Sequence, residues 1–412
     1  MNKKVVLVWF RNDLRLHDNE VLVDAINKSD LIIPVYCFDP RYFGKNEHTL
    51  YHTGFKRASF LRATVQELKT RLQTMGSDLM TFFGYPEEIL PKLCAKYEVT
   101  EVYHHREVAR RETKISEQVE AALWEAKINL RHFIGHTLYH KEDLPFPIKD
   151  IPERFNMFRK KIERESTVRL FLEAPTSIPT PQHLEDTTIP SLLDLGYTEE
   201  ECSWAESQDF CAGENQAIKQ LNSVLTPDYA ELPNYTLISP YIAIGSLSPL
   251  YVYHQMQNST LATNKRRYDR MLTMLLWRDY FRFMLKKHPN VFFKMSGFSK
   301  NTDLEENGRE EKVKKWMNAL TGEPEVDQVI NKLKDTGNIT YAERKLIAAY
   351  FIQEISENWL IGAAFFEQHL LDFAPATTYG FWSHIAGVGT SQKENNTIAW
   401  KDYVKKMLTH KT

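Results

Sequence analysis

Hydrophobic residues in the first 135 positions follow two alternating patterns. Short, almost wholly apolar runs, which are typical of buried strands, occupy residues 4–10, 30–38, 78–84, 98–105 and 128–135. Between them, apolar side chains recur at helical spacing in residues 19–28, 56–75, 86–97 and 106–126. Strands that are apolar throughout and alternate with helices predict a parallel sheet covered on both faces. We therefore expect an α/β domain over residues 1–135, with a doubly wound, five-stranded parallel sheet.

The pattern changes after residue 135. Residues 136–198 are rich in proline, which interrupts regular helices and strands, and they predict a connector. Over residues 199–412 nearly every segment has helical periodicity, and no convincing strand occurs. The sequence therefore predicts a second, all-α domain at 199–412.

Composition and charge narrow the function classes. The chain has 412 residues, 42% of them hydrophobic, which is enough for two domains. Its formal net charge of −2 gives no general electrostatic footprint for nucleic acid. The basic stretches at residues 158–164 and 264–270 are local, and a solvated helix face explains either one. Contact with DNA would therefore depend on local patches.

The cysteines and the apolar runs indicate where the protein works. The four cysteines show no C-x-x-C spacing, so no disulfide framework is expected. The first apolar run is too short for a signal peptide, and no run is long enough to cross a membrane. We expect a cytoplasmic protein without a membrane partner.

Common motifs of nucleotide and metal chemistry are missing. The sequence lacks G-x-G-x-x-G after the first strand, the phosphate loop G-x-x-x-x-G-K-[ST] and the zinc motif H-E-x-x-H. His136 and His140 are four residues apart, but no third ligand accompanies them at a useful spacing. No metal site is expected.

Four separate stretches resemble one known family. Residues 5–26, VVLVWFRNDLRLHDNEVLVDAI, resemble the opening of the photolyase/cryptochrome family, W-F-R-x-D-L-R-x-x-D-N. Residues 136–146, 151–175 and 382–389 resemble its DASH-type cryptochromes in particular. The resemblance extends from Val5 to about Gly389 and follows the order of the family's motifs. It implies an α/β antenna domain, a connector and a helical domain that holds FAD.

The resemblance also implies which residues hold the FAD diphosphate. The segment that matches the family's phosphate clamp contains Thr236, Leu237, Ile238 and Ser239. The two hydroxyl residues precede Pro240, which suits a first helical turn, and helix N-termini bind anions. An ordinary capped helix explains the same residues. In the helix that follows, the resemblance places Arg278 near the cofactor.

A second group of residues is implied around the flavin ring. They are Arg344, Asp372, Phe373, Ala374 and Thr378. We predict an ion pair between Arg344 and Asp372, because burying either charge alone in such apolar helices would be prohibitive. Thr378 stands where the family commonly has an asparagine facing flavin N5, and Ala374 stands where a second acid is common.

Two tryptophans match the family's electron-transfer chain. Trp382 matches the residue nearest the flavin, and Trp359 matches the middle residue. The third tryptophan is expected within residues 301–311, where the sequence has none. Core packing would explain the same two aromatic residues without any redox role. The chain of electron donors therefore either stops at Trp359 or ends on an unidentified aromatic residue.

The substrate side departs from dimer-repairing relatives. Trp277 matches a residue that approaches damaged DNA, but Met274 replaces a glutamate that hydrogen-bonds the lesion, and Tyr341 replaces an asparagine. A thioether cannot donate a hydrogen bond, and an unpaired polar edge costs about 1 to 3 kcal/mol. We therefore do not expect pyrimidine dimers to bind in the familiar way.

The resemblance leaves a second chromophore open. Residues 103–118 match the region of the family's folate-binding glutamate, and they contain Glu107 and Glu112. The register places Arg110 or Arg111 close to that glutamate's position. The same stretch is explained by a charged amphipathic helix. A 5,10-methenyltetrahydrofolate antenna is thus one of two interpretations.

Three functions are consistent with these residues. The first is a blue-light flavoprotein of cryptochrome type, photoreduced through Trp382 and Trp359, that signals to an unidentified partner or binds DNA without repairing it. The second is a deoxyribodipyrimidine photolyase, acting on pyrimidine dimers in single-stranded DNA. The third is a family member that has lost flavin and serves as an interaction module, against which Arg344 and Asp372 argue. We expect a monomer and favour the first function.

Overall fold

The computed structural model describes residues 3–207, 210–226, 235–299, 310–356, 358–391 and 398–409. The chain divides into two compact units, each made from several stretches. Unit 1 contains Met1–Gly44, Ala58–Asp143 and Thr167–Leu275. Unit 2 contains Lys45–Arg57, Leu144–Ser166 and Leu276–Thr412. The units therefore interleave along the sequence, and the domain boundaries expected at residues 135 and 198 stay predictions.

Unit 1 contains a parallel five-stranded sheet with the strand order β3-β2-β1-β4-β5. Its strands are β1 (Val5–Phe10), β2 (Leu31–Phe38), β3 (Met80–Phe83), β4 (Glu101–His105) and β5 (Asn129–Phe133). In the central strand, Val6 pairs with Ile32 on one side and with Glu101 on the other. All six residues of β1 are buried, as a strand covered on both faces requires.

Helices occupy most of the remaining described residues. They are α1 (Glu20–Lys28), α2 (Phe55–Thr74), α3 (Pro86–Lys96), α4 (Arg110–Glu125), α5 (Phe155–Glu165), α6 (Glu199–Glu206), α7 (Glu214–Leu225), α8 (Ser239–Ile244), α9 (Pro249–Asn258), α10 (Lys265–Lys287), α11 (Glu310–Met317), α12 (Pro324–Thr336), α13 (Tyr341–Tyr350), α14 (Trp359–His369), α15 (Pro375–Ile385) and α16 (Trp400–Thr409). None of the helices in the described part of the chain is both long enough and apolar enough to cross a membrane. The predicted fold class, an α/β region followed by a helical one, is confirmed.

A buried carboxylate fixes the start of α7 in unit 1. Glu214 is 1% exposed and accepts hydrogen bonds from the backbone N–H of Leu16 at 2.6 Å and from His17 Nδ1 at 2.7 Å. Arg71 adds a second ion pair to the same carboxylate. Burial alone would raise the pKa of Glu214, but the hydrogen bond and charge of His17 lower it below its ordinary value. The carboxylate is therefore ionised and ties α7 to the loop that follows β1.

In unit 2, helix α13 begins with a reciprocal cap. The Thr340 side chain accepts from the backbone N–H of Glu343 at 3.3 Å, and the Glu343 side chain accepts from the N–H of Thr340 at 2.6 Å. The helix ends in a single π-turn at Phe351–Ile355. Its buried face packs into an aromatic core that includes Trp316, Trp359 and Trp382. The cap thus fixes the helix that carries Arg344.

Residues 45–57, although early in the sequence, belong to unit 2. Lys56 Nζ donates to the carbonyl of Lys334 at 2.6 Å, in the last turn of α12. Arg57 Nη1 donates to the carbonyl of Leu370 at 2.9 Å, just beyond α14. Positive charge is favourable at the C-terminal ends of helices, where carbonyls lack intrahelical partners. The segment therefore ties together the ends of two helices.

Candidate functional site

The predicted ion pair of unit 2 is present. Arg344 lies on α13 and Asp372 in the turn between α14 and α15, and Nη2 of the arginine contacts Oδ1 and Oδ2 of the aspartate at 3.0 and 2.8 Å. Arg344 Nε also donates to the carbonyl of Ile339 at 3.2 Å. The two side chains are 13% and 7% exposed. Because both charges are largely removed from water, each depends on the other for compensation.

The residues after Asp372 form the start of α15. Ala374 occupies the capping position, and its carbonyl accepts from the backbone N–H of the buried Thr378 at 2.9 Å. An alanine side chain cannot cap, so an acid at this position would add about 1 kcal/mol of helix stability. The Phe373 ring lies under the guanidinium of Arg57, at 4.8 Å. Phe373 and Ala374 thus connect Asp372 to the start of α15, and their place around the flavin stays a prediction.

Trp382 is completely buried on α15. Its ring meets those of Phe366 at 5.0 Å and Phe351 at 5.8 Å, both nearly perpendicular to it. The indole occupies the space that a side chain at Gly362 would take, since a Cβ there would lie 2.2 Å from Trp382 Cη2. Among the described residues, the Trp382 indole Nε1 has no hydrogen-bond partner. The indole N–H is therefore an enclosed donor without a partner in the described part of the chain.

Trp359 begins α14 and is also fully buried. Its indole N–H donates to the carbonyl of Met295 at 2.9 Å. Its ring meets that of Tyr379 at 6.3 Å and 71°. The structure therefore places both predicted tryptophans in one aromatic core. The third tryptophan is expected within residues 301–311, and residues 301–309 lie outside the described residues.

Sequence reasoning missed a polar group within this aromatic core. Tyr379 Oη donates to Glu367 Oε2 at 3.1 Å, and Glu367 Oε1 lies 3.1 Å from His52 Nδ1. Glu367 is 5% exposed. The one signal in the sequence is Glu367 itself, an acid that directly follows the apolar run WLIGAAFF. Its two partners lie 315 residues apart from it in one case and 12 in the other, so no local pattern joins them.

Trp277 and Arg278 lie on α10. The Trp277 ring stacks on Phe155 at 3.8 Å and 10°, and it meets the ring of His384 at 6.0 Å. Arg278 is 7% exposed, and its Nη1 lies 3.9 Å from Oδ1 of the buried Asp279. The arginine is therefore held within unit 2 beside a carboxylate, at a distance beyond a direct hydrogen bond.

The two replaced substrate-side residues have different surroundings. Tyr341 is 38% exposed, meets the ring of Phe381 at 5.8 Å and has the ammonium of Lys345 4.4 Å from its own ring centre. Met274 lies on α10, three residues before Trp277, and is partly buried. Tyr341 thus makes an aromatic contact with Phe381 at a position where the resemblance implies an asparagine side chain.

Two histidines of unit 2 are held neutral. Burial, together with the charge of Lys345, lowers the pKa of His384 to about 4. Burial likewise lowers the pKa of His369 to about 3, together with the charges of Lys334, Lys56 and Arg57. Both side chains are therefore uncharged at neutral pH.

The predicted diphosphate clamp lies in unit 1. Thr236 is part of a single 3₁₀ turn at Tyr235–Leu237, and Ser239 is the first residue of α8. The Ser239 hydroxyl donates to the carbonyl of Thr236 at 3.3 Å. Ile238, which is fully buried, stands before the helix, and Pro240 lies in its first turn as expected. The role of these residues in binding phosphate stays a prediction.

The region expected to contact folate also lies in unit 1. Glu107 is 6% exposed and accepts a hydrogen bond from Asn12 Nδ2 at 3.1 Å. Glu112 is 7% exposed, and burial raises the pKa of its carboxyl, as does the nearby Glu107. Arg110 begins α4, and the Arg111 guanidinium lies 5.8 Å from the ring of Tyr42. The two acids are therefore buried groups of the α/β region rather than part of a solvated face.

Comparison with known proteins decides the family. The DNA photolyase model matches residues 6–182, and the model of the FAD binding domain of DNA photolyase matches residues 271–407. Cryptochrome DASH of Gloeobacter violaceus is 35% identical over 408 residues, covering 95% of this chain and 81% of the relative. The chain belongs to the photolyase/cryptochrome family. Cryptochrome DASH of Danio rerio is 34% identical over 417 residues, covering 95% of this chain and 78% of the relative.

Solved structures of this family agree. The crystal structure of a Synechocystis sp. cryptochrome matches with a TM-score of 0.87 at 30% identity, covering 98% of this chain and 87% of that one. A class III photolyase from Agrobacterium tumefaciens matches with a TM-score of 0.83 at 22% identity, which shows the fold alone. With DASH relatives along nearly its whole length, the chain is a DASH-type member of the photolyase/cryptochrome family.

The residues of unit 2 fit the cofactor of this family. The matched FAD-binding region includes the ion pair of Arg344 and Asp372 and the buried Trp382, whose indole N–H has no partner in the described part of the chain. A charge pair in an apolar setting suits a polar aromatic ring with hydrogen-bond acceptors. Arg344, Asp372 and Thr378 would hold FAD in unit 2, and their contacts with it stay predictions.

Proposed function

We propose that this chain is a blue-light-responsive cryptochrome of DASH type, in which FAD is photoreduced through Trp382 and Trp359. Bound FAD would supply the group that absorbs light and accepts an electron. The observation that carries the proposal is Trp382: an indole with no solvent exposure and, in the described residues, no hydrogen-bond partner, set among perpendicular aromatic rings. Such an indole can lose an electron without water reaching it.

Each neighbouring residue has a distinct task in this proposal. Trp359 refills Trp382, and its N–H bond to the carbonyl of Met295 fixes the plane of its ring. The Arg344 guanidinium places a positive charge where added negative charge needs stabilising, and Asp372 holds that guanidinium in place. The Thr378 hydroxyl can donate or accept at the position that the family gives to an asparagine.

The substrate side supports signalling or DNA binding without repair. Met274 cannot supply the hydrogen bond that a lesion needs, and Tyr341 packs against Phe381 where an amide would be required. We therefore include DNA among the proposed partners only as an undamaged or unspecific ligand. A signalling partner, a monomeric state and a cytoplasmic location complete the proposal.

We extend the proposal to a folate antenna in unit 1. Two carboxyl groups, those of Glu107 and Glu112, are buried in the region where the family binds 5,10-methenyltetrahydrofolate. Carboxylates can accept hydrogen bonds from a pterin ring. Titration of the purified protein with this folate, followed by its absorbance, tests this part separately from FAD.

Blue-light photoreduction of the purified protein tests the main proposal. We expect FAD in the purified protein and bleaching of its absorbance under blue light with an external reductant. The Trp382→Phe variant should keep FAD but lose most of the bleaching, because phenylalanine is far harder to oxidise than tryptophan. Trp316→Phe is the control, since Trp316 is equally buried but its ring contacts in the described residues are with Phe351 and Phe365 rather than with Trp382 or Trp359. Equal rates in wild type and Trp382→Phe would sink the proposed route.

Dimer repair is the competing function. Trp277 keeps the aromatic ring that the resemblance places next to damaged DNA, and it is stacked and partly accessible. An irradiated thymine oligonucleotide, incubated with the protein in light and in darkness, distinguishes the two. Repeated light-dependent turnover would establish a photolyase and overturn the part of the proposal that denies repair.

A further inference from the structure

The electron-transfer chain of this protein lacks its usual end. No tryptophan occurs in residues 301–311, where the resemblance places the last member. An oxidised Trp359 would therefore recombine quickly unless another residue refilled it. The identity of the residue that reduces oxidised Trp359 therefore rests on the proposed photoreduction.

Among the described residues, Tyr379 is the oxidisable side chain in ring contact with Trp359. The centres of the Tyr379 and Trp359 rings are 6.3 Å apart, and the ring planes are inclined at 71°. The Tyr379 ring also contacts the ring of Phe293, with the ring centres 4.8 Å apart. Tyr379 also lies three residues before Trp382 on α15, so that one helix carries both the first donor and the tyrosine. Phenylalanine is not a competing donor, because its ring is much harder to oxidise.

The phenol of Tyr379 has a base within reach. A phenol becomes a strong acid when it loses an electron, so tyrosine is oxidised easily only where its proton can leave at once. Tyr379 Oη donates to Glu367 Oε2 at 3.1 Å, within the range that supports direct proton transfer. The other oxygen of Glu367 lies 3.1 Å from His52 Nδ1, and the His52 side chain is 19% exposed. Glu367 therefore lies between the phenol and a histidine that reaches solvent.

Trp359 has the opposite environment. Its indole N–H donates to a backbone carbonyl, that of Met295, which is not a base at any ordinary pH. Oxidised Trp359 would therefore keep its proton and remain a radical cation, which is a stronger oxidant than the neutral radical. The direction of electron flow, from Tyr379 to Trp359, follows from this difference in proton acceptors.

Other aromatic residues of unit 2 fit less well. Trp400 donates its indole N–H to Glu354 at 3.0 Å, but its ring contact is with Tyr350, at 5.0 Å. Trp316 meets Phe351 and Phe365, and its indole Nε1 has no hydrogen-bond partner in the described residues. Neither combines a ring contact to Trp359 with a proton acceptor.

We propose that Tyr379 is the terminal electron donor of this chain and that Glu367 is its proton acceptor. One electron passes from Tyr379 to the Trp359 radical cation, which returns to a neutral indole. In the same step the Tyr379 O–H bond breaks, its proton forms a bond to Glu367 Oε2, and a neutral phenoxyl radical remains. The oxidant is the tryptophan radical produced by photoreduction, so no further reactant is needed.

Electron paramagnetic resonance after a blue flash tests this assignment on the FAD-loaded protein with ring-deuterated tyrosine. We expect a tyrosyl signal that narrows on deuteration in wild type and is absent in Tyr379→Phe, where a tryptophan radical persists instead. Glu367→Gln keeps a hydrogen-bonding side chain but removes the base, and it should slow formation of the tyrosyl radical by about a hundredfold. Tyr350→Phe, a buried tyrosine beside a different tryptophan, should leave the signal unchanged.

A readout without flavin checks the contact itself. In flavin-free protein carrying carbon-13 at tyrosine Cζ, the resonance lost in Tyr379→Phe identifies this residue. That resonance should shift in Glu367→Gln and stay in place in Tyr350→Phe. If the Tyr379 resonance does not shift in Glu367→Gln, Glu367 is not the proton acceptor.

The outcomes separate this inference from the function on which it rests. Absence of both flavin bleaching and any tryptophan radical in wild type would overturn the proposed photoreduction. Normal bleaching with a tryptophan radical that decays equally fast in wild type and Tyr379→Phe would overturn Tyr379 as the donor and leave photoreduction intact. A tyrosyl radical that forms equally fast in Glu367→Gln would overturn the role of the carboxylate alone.

Discussion

Burial makes the pair of Arg344 and Asp372 sensitive to any change that removes one charge and keeps the other. The two side chains are 13% and 7% exposed, so water cannot replace a missing partner. Replacing both with apolar residues removes both costs of burial. The pair is therefore a test of whether the site has been kept for stability or for a bound group.

Asp372→Asn is expected to lower the free energy of unfolding by about 2 to 3 kcal/mol, because it leaves the Arg344 guanidinium buried without a counter-charge. Urea denaturation of the flavin-free protein measures the loss. The double variant Arg344→Met, Asp372→Leu should recover most of that stability but bind FAD more weakly than wild type. A double variant with unchanged FAD affinity would show that the pair serves the fold alone.

Met274→Glu should restore preference for damaged DNA. A carboxyl group on α10 can hydrogen-bond a polar lesion edge that a thioether cannot, and one such bond corresponds to about a tenfold gain in affinity. Fluorescence anisotropy with irradiated and undamaged oligonucleotides gives the ratio of affinities. Met274→Leu is the apolar control, and an equal ratio in both variants would contradict the interpretation of this position.

Residues that interact through one local rule were predictable, and those that join distant segments were not. The pairing of Arg344 with Asp372 follows from the cost of burying either charge alone. The group of Tyr379, Glu367 and His52 joins segments 315 residues apart, and nothing near His52 in the sequence points to α14. Only the folded chain reveals that the acid has both a phenol and an imidazole beside it.

At the scale of elements, α14 and α15 pack closely because α14 has a glycine, Gly362, at the point where α15 carries its largest side chain, Trp382. The Trp382 indole occupies the position of the missing Gly362 side chain, one turn from Trp359. A small residue at position 362 therefore decides where Trp382, the proposed first electron donor, lies.

Gly362→Ala tests that fit. The new Cβ would lie 2.2 Å from Trp382 Cη2, so the helices or the indole must move, and overpacking of this kind costs about 1 to 3 kcal/mol. We expect a lower unfolding midpoint and slower blue-light bleaching. Gly44→Ala, at a glycine with nothing within 4 Å of an added Cβ, is the matched control. Unchanged bleaching in Gly362→Ala would show that the indole position is not limiting.

The strands of the sheet were predictable because buried parallel strands are apolar throughout. Each predicted run contains the strand that the structure shows, although β3, β4 and β5 are each three residues shorter than their runs and β1 and β2 one residue shorter. The helix at Pro240 was also expected, but its start at Ser239 was not, since Ile238 offers no capping group. Hydrophobic pattern identifies an element, whereas its ends depend on individual hydrogen bonds.

At the scale of the whole molecule, acid should destabilise unit 2 through its neutral histidines. His384 and His369 have pKa values of about 4 and about 3 in the folded chain, below the ordinary value of 6.5. As the pH falls below 6.5 the unfolded chain takes up protons that the folded chain refuses, so stability falls with pH.

We expect each of the two histidines to contribute on the order of 1 kcal/mol to the stability lost between pH 7 and pH 5. Urea denaturation followed by tryptophan fluorescence at the two pH values measures the loss. The double variant His369→Gln, His384→Gln should lose less stability over the same interval. An identical loss in this variant would assign the acid sensitivity to other groups.

The composition of the two units could not be read from hydrophobic pattern. A run of residues is assigned to a domain by its neighbours in sequence, yet residues 45–57 and 144–166 belong to unit 2 while their neighbours on both sides belong to unit 1. The contacts of Lys56 and Arg57 with the ends of α12 and α14 explain why residues 45–57 belong to unit 2. Such contacts are invisible until the distant helices are in place.

Residues 45–57 also affect the order in which contacts form while the chain is synthesised on the ribosome. They emerge early, but the helix ends that they contact, at Lys334 and Leu370, are reached roughly fifteen to sixty seconds later at ordinary elongation rates. During that interval Lys56 and Arg57 have no helix ends to bind, so these contacts of unit 2 form only after most of the chain has been synthesised. A recombinant fragment that starts at residue 199 would lack this segment altogether, and we expect it to misfold where the full chain does not.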